Sequence, residues 1–596
     1  MPTPKNVVVW LIAVTTVWSV GGCYESVEVQ PRLSESATST VKTPDVDAQP
    51  LFVEATESLG LKFRQTTGAQ GKCLMPEIMG SGVALFDFDR DGDLDAYLVN
   101  GGESVLTRTS ARVTNELWLQ DGAGQFEKLA SENGAADGHY GMGVTVGDVN
   151  NDGWPDLFLT NYGPDQLYVN DAGRRFVNVT EASGIVNERW SVSAAFADIN
   201  RDGRLDLYVT NYVDFDPSLS CVISNGTPDY CNPQRFPGTT DCLFVQTEEM
   251  VEFDGVTVPR FTNASVTSGI ASAKGAGMGV ALIDANQDGW IDWYVANDMT
   301  SNFLWMNQKD GTFVDDAIAT GIALDGTGKR QASMGIVVAD IDANGHEDIF
   351  LTHMTGESNT LYLQQHVGIF DDATHVQNLA GNSFTETAFG VAAFDLEHDG
   401  DLDFAIVNGK VTLATESQVE NSTGLQSYGQ HNQLFVQQSG KFAVHLSATG
   451  FSRDCVVTRG LAAGDIDNDG DVDLLINNSD ALAQVWLNDA PSKGNWLRLR
   501  LQLPEYANRD AIGAMATLRV GSNTFMRRLA GAGSYGSAHP NELHFGLGEA
   551  DAVDSIVVQW PCGITEEFLA GSHDLSANHQ LTLQKGRGNV REDQSK

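Results

Sequence analysis

Short apolar runs recur along most of this chain, broken by clusters of glycine, aspartate and asparagine. Three kinds of run follow one another in a fixed order. The first opens on small residues: GSGVALF (80–86), GMGVTVG (141–147), GMGVALI (277–283), SMGIVVA (333–339) and AFGVAAF (388–394). The second begins on aspartate: DAYLVN from Asp95, DLFLTN from Asp156, DLYVTN from Asp206, DWYVAN from Asp292 and DIFLTH from Asp348. The third runs into a tight turn: ELWLQDGAGQF (116–126), QLYVNDAGRRF (166–176), NFLWMNQKDGTF (302–313), TLYLQQHVGIF (360–370) and QLFVQQSGKF (433–442). β-Branched and aromatic residues between Gly/Asp/Asn turns predict strands, and nothing in the repeats sustains a 3.6-residue apolar period. The unit reads as four strands, and four-stranded units at such spacing predict propeller blades.

The ends of the repeat region separate a propeller from a stacked solenoid. The last unit stops at AQVWLND (483–489) without its fourth strand, while LFVEATESLGLKF (51–63) matches the fourth-strand segment RFVNVTEASGI (175–185). A ring closed by the N-terminal strand accounts for both half-units and removes the exposed sheet edges, where a solenoid would show capping units. The expected fold is all-β: a seven-bladed β-propeller over 51–490 closed by the N-terminal strand, then a small β-domain over 491–585 and a disordered tail over 586–596.

Between the first two runs of every unit lies one acidic frame, D-x-D/N-x-D/N-G-x-x-D, seven times over, with Glu at its third position once. Positions 1, 3, 5 and 9 are Asp87, Asp89, Asp91 and Asp95; Asp148, Asn150, Asp152 and Asp156; Asp198, Asn200, Asp202 and Asp206; Asp284, Asn286, Asp288 and Asp292; Asp340, Asp342, Asn344 and Asp348; Asp395, Glu397, Asp399 and Asp403; Asp465, Asp467, Asp469 and Asp473. Such oxygens can turn inward around one point, while the position-6 glycine permits a left-handed backbone. Four hard side chains with a carbonyl and water meet the six to eight oxygens that calcium takes; magnesium demands stricter octahedral geometry. One such loop can be a plain Asx turn, but seven with acids at positions 1 and 9 every time point to Ca2+, up to seven ions, as a structural component. The fifth loop departs most, with Asn344 followed by His346 and Glu347, and Glu397 puts a longer arm into the sixth.

These repeats resemble the FG-GAP/VCBS repeats of integrin α-subunit propellers, a resemblance that covers residues 51–490 and implies calcium in the acidic loops. Beyond them WLRLRLQLP (496–504) alternates cleanly, and NRDAIGA, HFGLG and WPCG resemble the ASPIC/UnbV domain found after similar repeats in cartilage acidic protein and its bacterial relatives. That family usually has serine where Cys562 stands, so the resemblance leaves Cys562 as a free thiol. It implies extracellular placement and assigns no chemistry.

The chain start agrees with export. Lys5 precedes a 14-residue apolar run (7–20) that ends in Val20-Gly21-Gly22-Cys23. The run has the length of a signal h-region and is short for a bilayer span. Small residues before Cys23 resemble a lipobox, which makes 1–23 a signal peptide of lipoprotein type with Cys23 lipidated. Residues 24–50 are polar and aromatic-poor, a flexible linker. The expected location is extracytoplasmic, lipid-anchored or secreted, with the membrane met only through Cys23. A net charge of −43 repels nucleic acid and anionic membranes.

If the acidic hairpins share one face, the long insertions 101–114, 212–241 and 409–431 open on the other, together with Cys73, Cys221, Cys231, Cys242 and Cys455. There the expected disulfides are Cys221–Cys231, a local clip, and Cys73–Cys455, joining the connections into the first and last blades. This second face is the expected partner surface, for an extracellular protein or polysaccharide. Its aromatics Tyr162, Tyr212, Phe215, Tyr230 and Phe236 either stack on a ligand or pack locally. No G-x-S-x-G elbow, H-E-x-x-H helix or Walker loop is present, so the chain reads as a binding or adhesion protein and not an enzyme. A glycan-active hydrolase or lyase, and a structural cell-surface component, are the alternatives.

Overall fold

The computed structural model describes residues 50–591 apart from 134, 414–423, 448, 449, 492, 505 and 507. The expected leader, Cys23 and residues 24–49 lie outside the described residues. Strands dominate, and the α-helices are single turns such as Thr180–Ser183 and Ala317–Thr320. Among the described residues no helix is long and apolar enough to cross a membrane.

Each acidic hairpin joins the first two strands of its own antiparallel sheet. The first strands are Val83–Phe86, Gly141–Gly147, Ser191–Ala197, Gly277–Ile283, Ile336–Ala339, Ala388–Phe394 and Thr458–Gly464. In six of these sheets the third and fourth strands follow along the chain. The seventh takes its fourth strand from the start of the described residues, with Phe52 opposite Asn488 and Glu54 opposite Trp486. Apolar side chains alternate between the two faces of each sheet and meet those of the next; Phe350 of the fifth, for example, stacks on Phe404 of the sixth at 4.2 Å.

The small residues that open the first strands have a steric cause. A Cβ on Gly143 would lie 2.4 Å from the Val192 carbonyl oxygen of the next sheet, and one on Gly335 would lie 2.1 Å from that of Phe389. Only glycine allows so close a backbone approach.

An amide side chain is the fifth residue of the third strand in each sheet: Gln120, Asn170, Gln246, Asn307, Gln364, Gln437 and Asn488. In six of the seven it donates to the carbonyl of hairpin position 2 in the adjacent sheet. Asn170 reaches Phe88 at 3.0 Å, Gln246 Val149 at 3.1 Å, Asn307 Ile199 at 2.8 Å, Gln364 Ala285 at 2.7 Å and Asn488 Leu396 at 3.0 Å. Gln120 of the first sheet reaches Ile466 of the seventh at 3.0 Å.

Two further sheets lie beyond residue 490. One carries Asn495–Gln502 between Leu543–Gly548 and, in parallel, His579–Gln584. The other orders Asn523–Arg528, Met515–Val520, Ser555–Gln559, Thr565–Leu569 and Asn589–Val590. Leu497, Leu499, Leu501, Phe545, Ile556 and Trp560 belong to their shared core. The last strand lies past residue 585, the expected end of the domain, because Glu566 and Glu567 pair with Val590 and Asn589.

This C-terminal region is not a separate body strung behind the repeats. Its segment 529–540 enters among the first strands and satisfies edge groups that the sheets leave open. Ser534 exchanges backbone bonds with Ile336 at 3.1 and 2.8 Å, Gly536 accepts from the Val144 amide at 3.1 Å and donates to Ser193 Oγ at 3.0 Å. Ala538 pairs in parallel with Ala84, and His539 Nδ1 accepts from the Ala463 amide at 3.0 Å. Tyr535, fully buried, donates to the Met79 carbonyl at 2.8 Å and sets its ring 4.9 Å from Phe389.

Candidate metal centres

Position 9 of the acidic frame plays one role in all seven hairpins. One oxygen of Asp95 accepts from the Phe88 amide at position 2 (2.7 Å), and the other from the Gln120 amide on the third strand (2.8 Å). Asp156, Asp206, Asp292, Asp348, Asp403 and Asp473 repeat the bracket. Position 1 caps the turn: Asp148, Asp198, Asp284, Asp340, Asp395 and Asp465 each accept from the position-6 glycine amide. That glycine is left-handed in every hairpin, from Gly92 at φ 101° to Gly470 at φ 99°. In six of the seven hairpins two acids therefore have a backbone role of their own, beside any metal they hold.

Carboxylate oxygens converge within 4.8 Å in three hairpins: Asp87, Asp89 and Asp95; Asp340, Asp342 and Asp348; Asp465, Asp467 and Asp473. These are positions 1, 3 and 9. Position 5 turns aside, so that Asp91, Asn344 and Asp469 accept from the position-7 amide. In the second, third and fourth hairpins Asn150, Asn200 and Asn286 each accept from the position-5 amide (Asp152, Asp202, Asp288), which leaves fewer carboxylates converging. In the sixth, burial raises both Glu397 and Asp403; Asp399 adds to the rise at Glu397, which a hydrogen bond with Asp403 offsets in part, and Glu397 adds to the rise at Asp403.

The three clusters fit a hard cation. Asp87 Oδ1, Asp89 Oδ1 and Asp465 Oδ1 are buried without a hydrogen-bond partner among the described residues. Burial pushes Asp95 and Asp348 up to about 8, Asp198, Asp395 and Asp465 to about 7, and Asp340 and Asp284 to about 6. A positive charge placed beside carboxylates so desolvated and so close together favours their ionised form.

Part of that charge comes from arginines of the C-terminal region, which lies over the acidic hairpins. Arg498 pairs with Asp465 at 2.8 Å and Arg500 stands 3.6 Å from Asp87. Arg528 grips Glu347 at 2.6 and 2.7 Å, and the same carboxylate accepts from the Asp284 amide at 2.9 Å, so one glutamate joins the fourth hairpin, the fifth and the domain. The Gly494 amide bonds Glu397 O, the Gly548 amide bonds His398 O, and His544 Nε2 donates to Gly470 O. Sequence reasoning noted Glu347 only as part of the fifth loop's departure and gave it no role. It stands in a column otherwise filled by Leu94, Pro155, Leu205, Ile291, Leu402 and Val472, and that break was the available signal.

The opposite loops close over themselves. Tyr162, Trp190, Tyr212, Tyr230 and Phe236 are buried in one cluster with Met75, Leu413 and Tyr428, and Phe215 packs against it. Trp190 meets Tyr212 edge-on at 4.9 Å, and Tyr230 meets Tyr428 at 5.3 Å. Of the two readings of these aromatics, local packing is the one observed. Asp229 links two insertions by accepting from Tyr428 Oη at 2.7 Å and the Leu413 amide at 2.9 Å. Arg459, fully buried over the Phe389 ring, donates to Ile78 O and Gly409 O.

Cys221 and Cys231 form a disulfide. The expected Cys73–Cys455 bridge does not form; both thiols are free, as are Cys242 and Cys562. Cys73 sits half-buried beside Glu77 and Asp229, which with burial raise its thiol to about 11. Cys455 is exposed on a short strand paired with Gln430–His431.

The build is that of an all-β protein carrying FG-GAP-like repeats: the FG-GAP-like repeat model matches residues 87–159, 148–209, 284–351 and 340–406. The ASPIC and UnbV model matches 505–590, the region that covers the hairpins. Among known proteins the chain is similar to Cartilage acidic protein 1 of Homo sapiens, 25% identical over 87% of this chain and 73% of that one. It is also similar to the Xenopus tropicalis protein of that name, 26% identical over 53% of this chain, where the match spans only 47% of the relative. Solved structures similar to it include a lectin from Agrocybe aegerita specific for non-reducing terminal N-acetylglucosamine (TM-score 0.38, 14% identity, 70% of this chain and 89% of that one). A rhamnogalacturonan lyase gives a TM-score of 0.35 at 15% identity, over 68% of this chain and 71% of the lyase.

Proposed function

We propose that the chain is an exported, calcium-stabilised binding or adhesion module: a seven-bladed propeller over 51–490, held by calcium and by its C-terminal domain (491 onward), that engages an extracellular protein or polysaccharide through the face opposite its acidic hairpins. The propeller reading is supported by the cycle of neighbours. Each first strand lies against the next, and Thr458–Gly464 of the last sheet lies against Val83–Phe86 of the first. The Gln120–Ile466 bond and the strand Phe52–Glu54 span the same junction. Export agrees with the Cys221–Cys231 disulfide, since such bonds persist in oxidising compartments, and with the leader and Cys23 anchor read at the start of the chain.

The observation that carries the choice of face is the C-terminal domain lying over the acidic hairpins. It leaves the other loops as the accessible, irregular surface, where binding residues on rigid scaffolds concentrate. Exposed apolar side chains occur there on five loops: Leu106, Val186, Leu219 with Val222, Phe384 and Leu482. Calcium is supported by the converging carboxylates with unsatisfied oxygens.

The test is binding of the full chain, in calcium, to arrays of extracellular proteins and polysaccharides, repeated with Leu106→Asp and Val222→Asp. The reading expects both variants to melt like the parent and to lose the ligand. A ligand lost only on substitution in the C-terminal domain would place recognition on the wrong face.

A further inference from the structure

Between the inserted segment 529–540 and the first strands of the fourth to seventh sheets lies a cavity of about 200 Å³, far above the ~15 Å³ that one water needs. Ala281, Leu282, Val338, Ala393, Leu529 and Ala532 supply apolar wall, and three arginines, Arg498, Arg527 and Arg528, border its other end. Two of these cations have partners: Arg528 is gripped by Glu347, and Arg498 pairs with Asp465 and stands 3.5 Å from Glu542.

Arg527 is different. Among the described residues no carboxylate lies within 4.0 Å of it; Nη1 donates to Met526 O at 2.9 Å, and the guanidinium stands 5.6 Å from the Phe545 ring. Asp340 and Asp395 act on it from further off, and burial lowers its pKa. A half-buried cation without a close counter-charge keeps its attraction for an anion, so an anion that enters the cavity gains more here than at a paired arginine.

More donors face the same space. Ile336 and Val391 turn their amides toward the inserted segment, to Ser534 O and Ser534 Oγ. Alternation along a strand sends the amides of Val338 and Ala393, two residues on, to that side as well. No bond from the inserted segment reaches either among the described residues, and both are half-buried at the centre of the strand bundle. His539 accepts at Nδ1 from the Ala463 amide, which leaves its proton on Nε2.

We propose that this cavity binds a small carboxylate with a short apolar body, the carboxylate against Arg527 and the body along the Ala281–Leu282 and Ala532 wall. Short-chain carboxylic acids fit the size and the single unpaired charge; phosphate lacks the apolar body and an alcohol lacks the charge.

Titration calorimetry of the full chain with hexanoate, hexanol and inorganic phosphate tests this. Hexanoate is expected to bind at one per chain, and the other two not at the same concentrations. Arg527→Gln should weaken hexanoate at least tenfold, and Ala393→Leu, which fills the cavity and keeps the charge, should abolish it while melting stays within a few degrees. If Arg527→Gln does not fold, the Ala393→Leu variant and the hexanol arm decide. Absence of hexanoate binding, equal binding of hexanol, or hexanoate binding unchanged in either folded variant would overturn the proposal.

Discussion

The two loop faces of this molecule use buried acids in opposite ways. On the hairpin face the carboxylates come in repeating clusters, and their surplus charge meets Arg498, Arg500 and Arg528 of the C-terminal region. On the other face they come singly, each answered by neutral donors: Asp229 by Tyr428 and the Leu413 amide, Glu77 by the Leu74 amide, Asp165 by Ser191 and Asn187. A clustered acid calls for a cation, and on that face arginines supply part of it and tie two parts of the chain together, with calcium proposed for the rest. A single acid needs only hydrogen bonds, so the other face is self-supporting and its outer loops are free for a partner.

The hardest test of the contrast is to remove the cover. A chain ending at Ala490 loses the arginines and the segment that fills the edges of the first strands. It should show no cooperative melting transition by calorimetry; a soluble product that melts like the full chain would break the comparison.

Single substitutions at the junction come next. Glu347→Ala leaves Arg528 buried and unpaired, and losing one partner of a buried pair costs about 3–5 kcal/mol, read as a lowered urea midpoint. Tyr535→Ala empties a fully buried site and should cost about 3–5 kcal/mol by the same measurement; Tyr535→Phe, which removes only the bond to Met79 O, about 1 kcal/mol.

The smallest effect sharpens the other side of the contrast. Burial pushes Glu77, Asp241 and Asp298 up to about 7 and Asp165 to about 8, away from the hairpins. A carboxyl whose folded pKa is raised binds more protons in the folded state between its unfolded value, about 4, and its folded value. Its stabilising effect is complete below pH 4 and is lost as the pH rises to 7–8. In saturating calcium the urea midpoint should still fall between pH 5 and pH 8; a flat profile would show that these singly held acids carry no such shift.

The repeat and its strands are legible in the sequence because each unit restates the same local chemistry: glycine where the next backbone approaches, aspartate where the turn closes, an amide at the fifth residue of the third strand. The Cys221–Cys231 clip is legible because its halves stand ten positions apart in one loop. The inserted segment is not. LAGAGSYGSAHP reads as a glycine-rich turn, since the strand edges it fills exist only once seven sheets have come together. Position 9 hides a second role for a related reason: its acid joins the converging carboxylates, and its two oxygens also bracket two backbone amides that only the folded hairpin brings near. The aromatics of the far loops left two readings open, because they belong to segments distant in sequence and only the fold shows that they bury one another.

The central claim, that the clustered acids are a calcium-held seam, is tested most directly by counting calcium per chain on the purified protein and following its melting temperature before and after chelation. The account predicts at least three bound calcium ions, up to seven, and a fall in melting temperature of ten degrees or more on chelation. Near-zero calcium with unchanged melting would contradict it, and the hairpins would then be arginine-capped turns that need no metal.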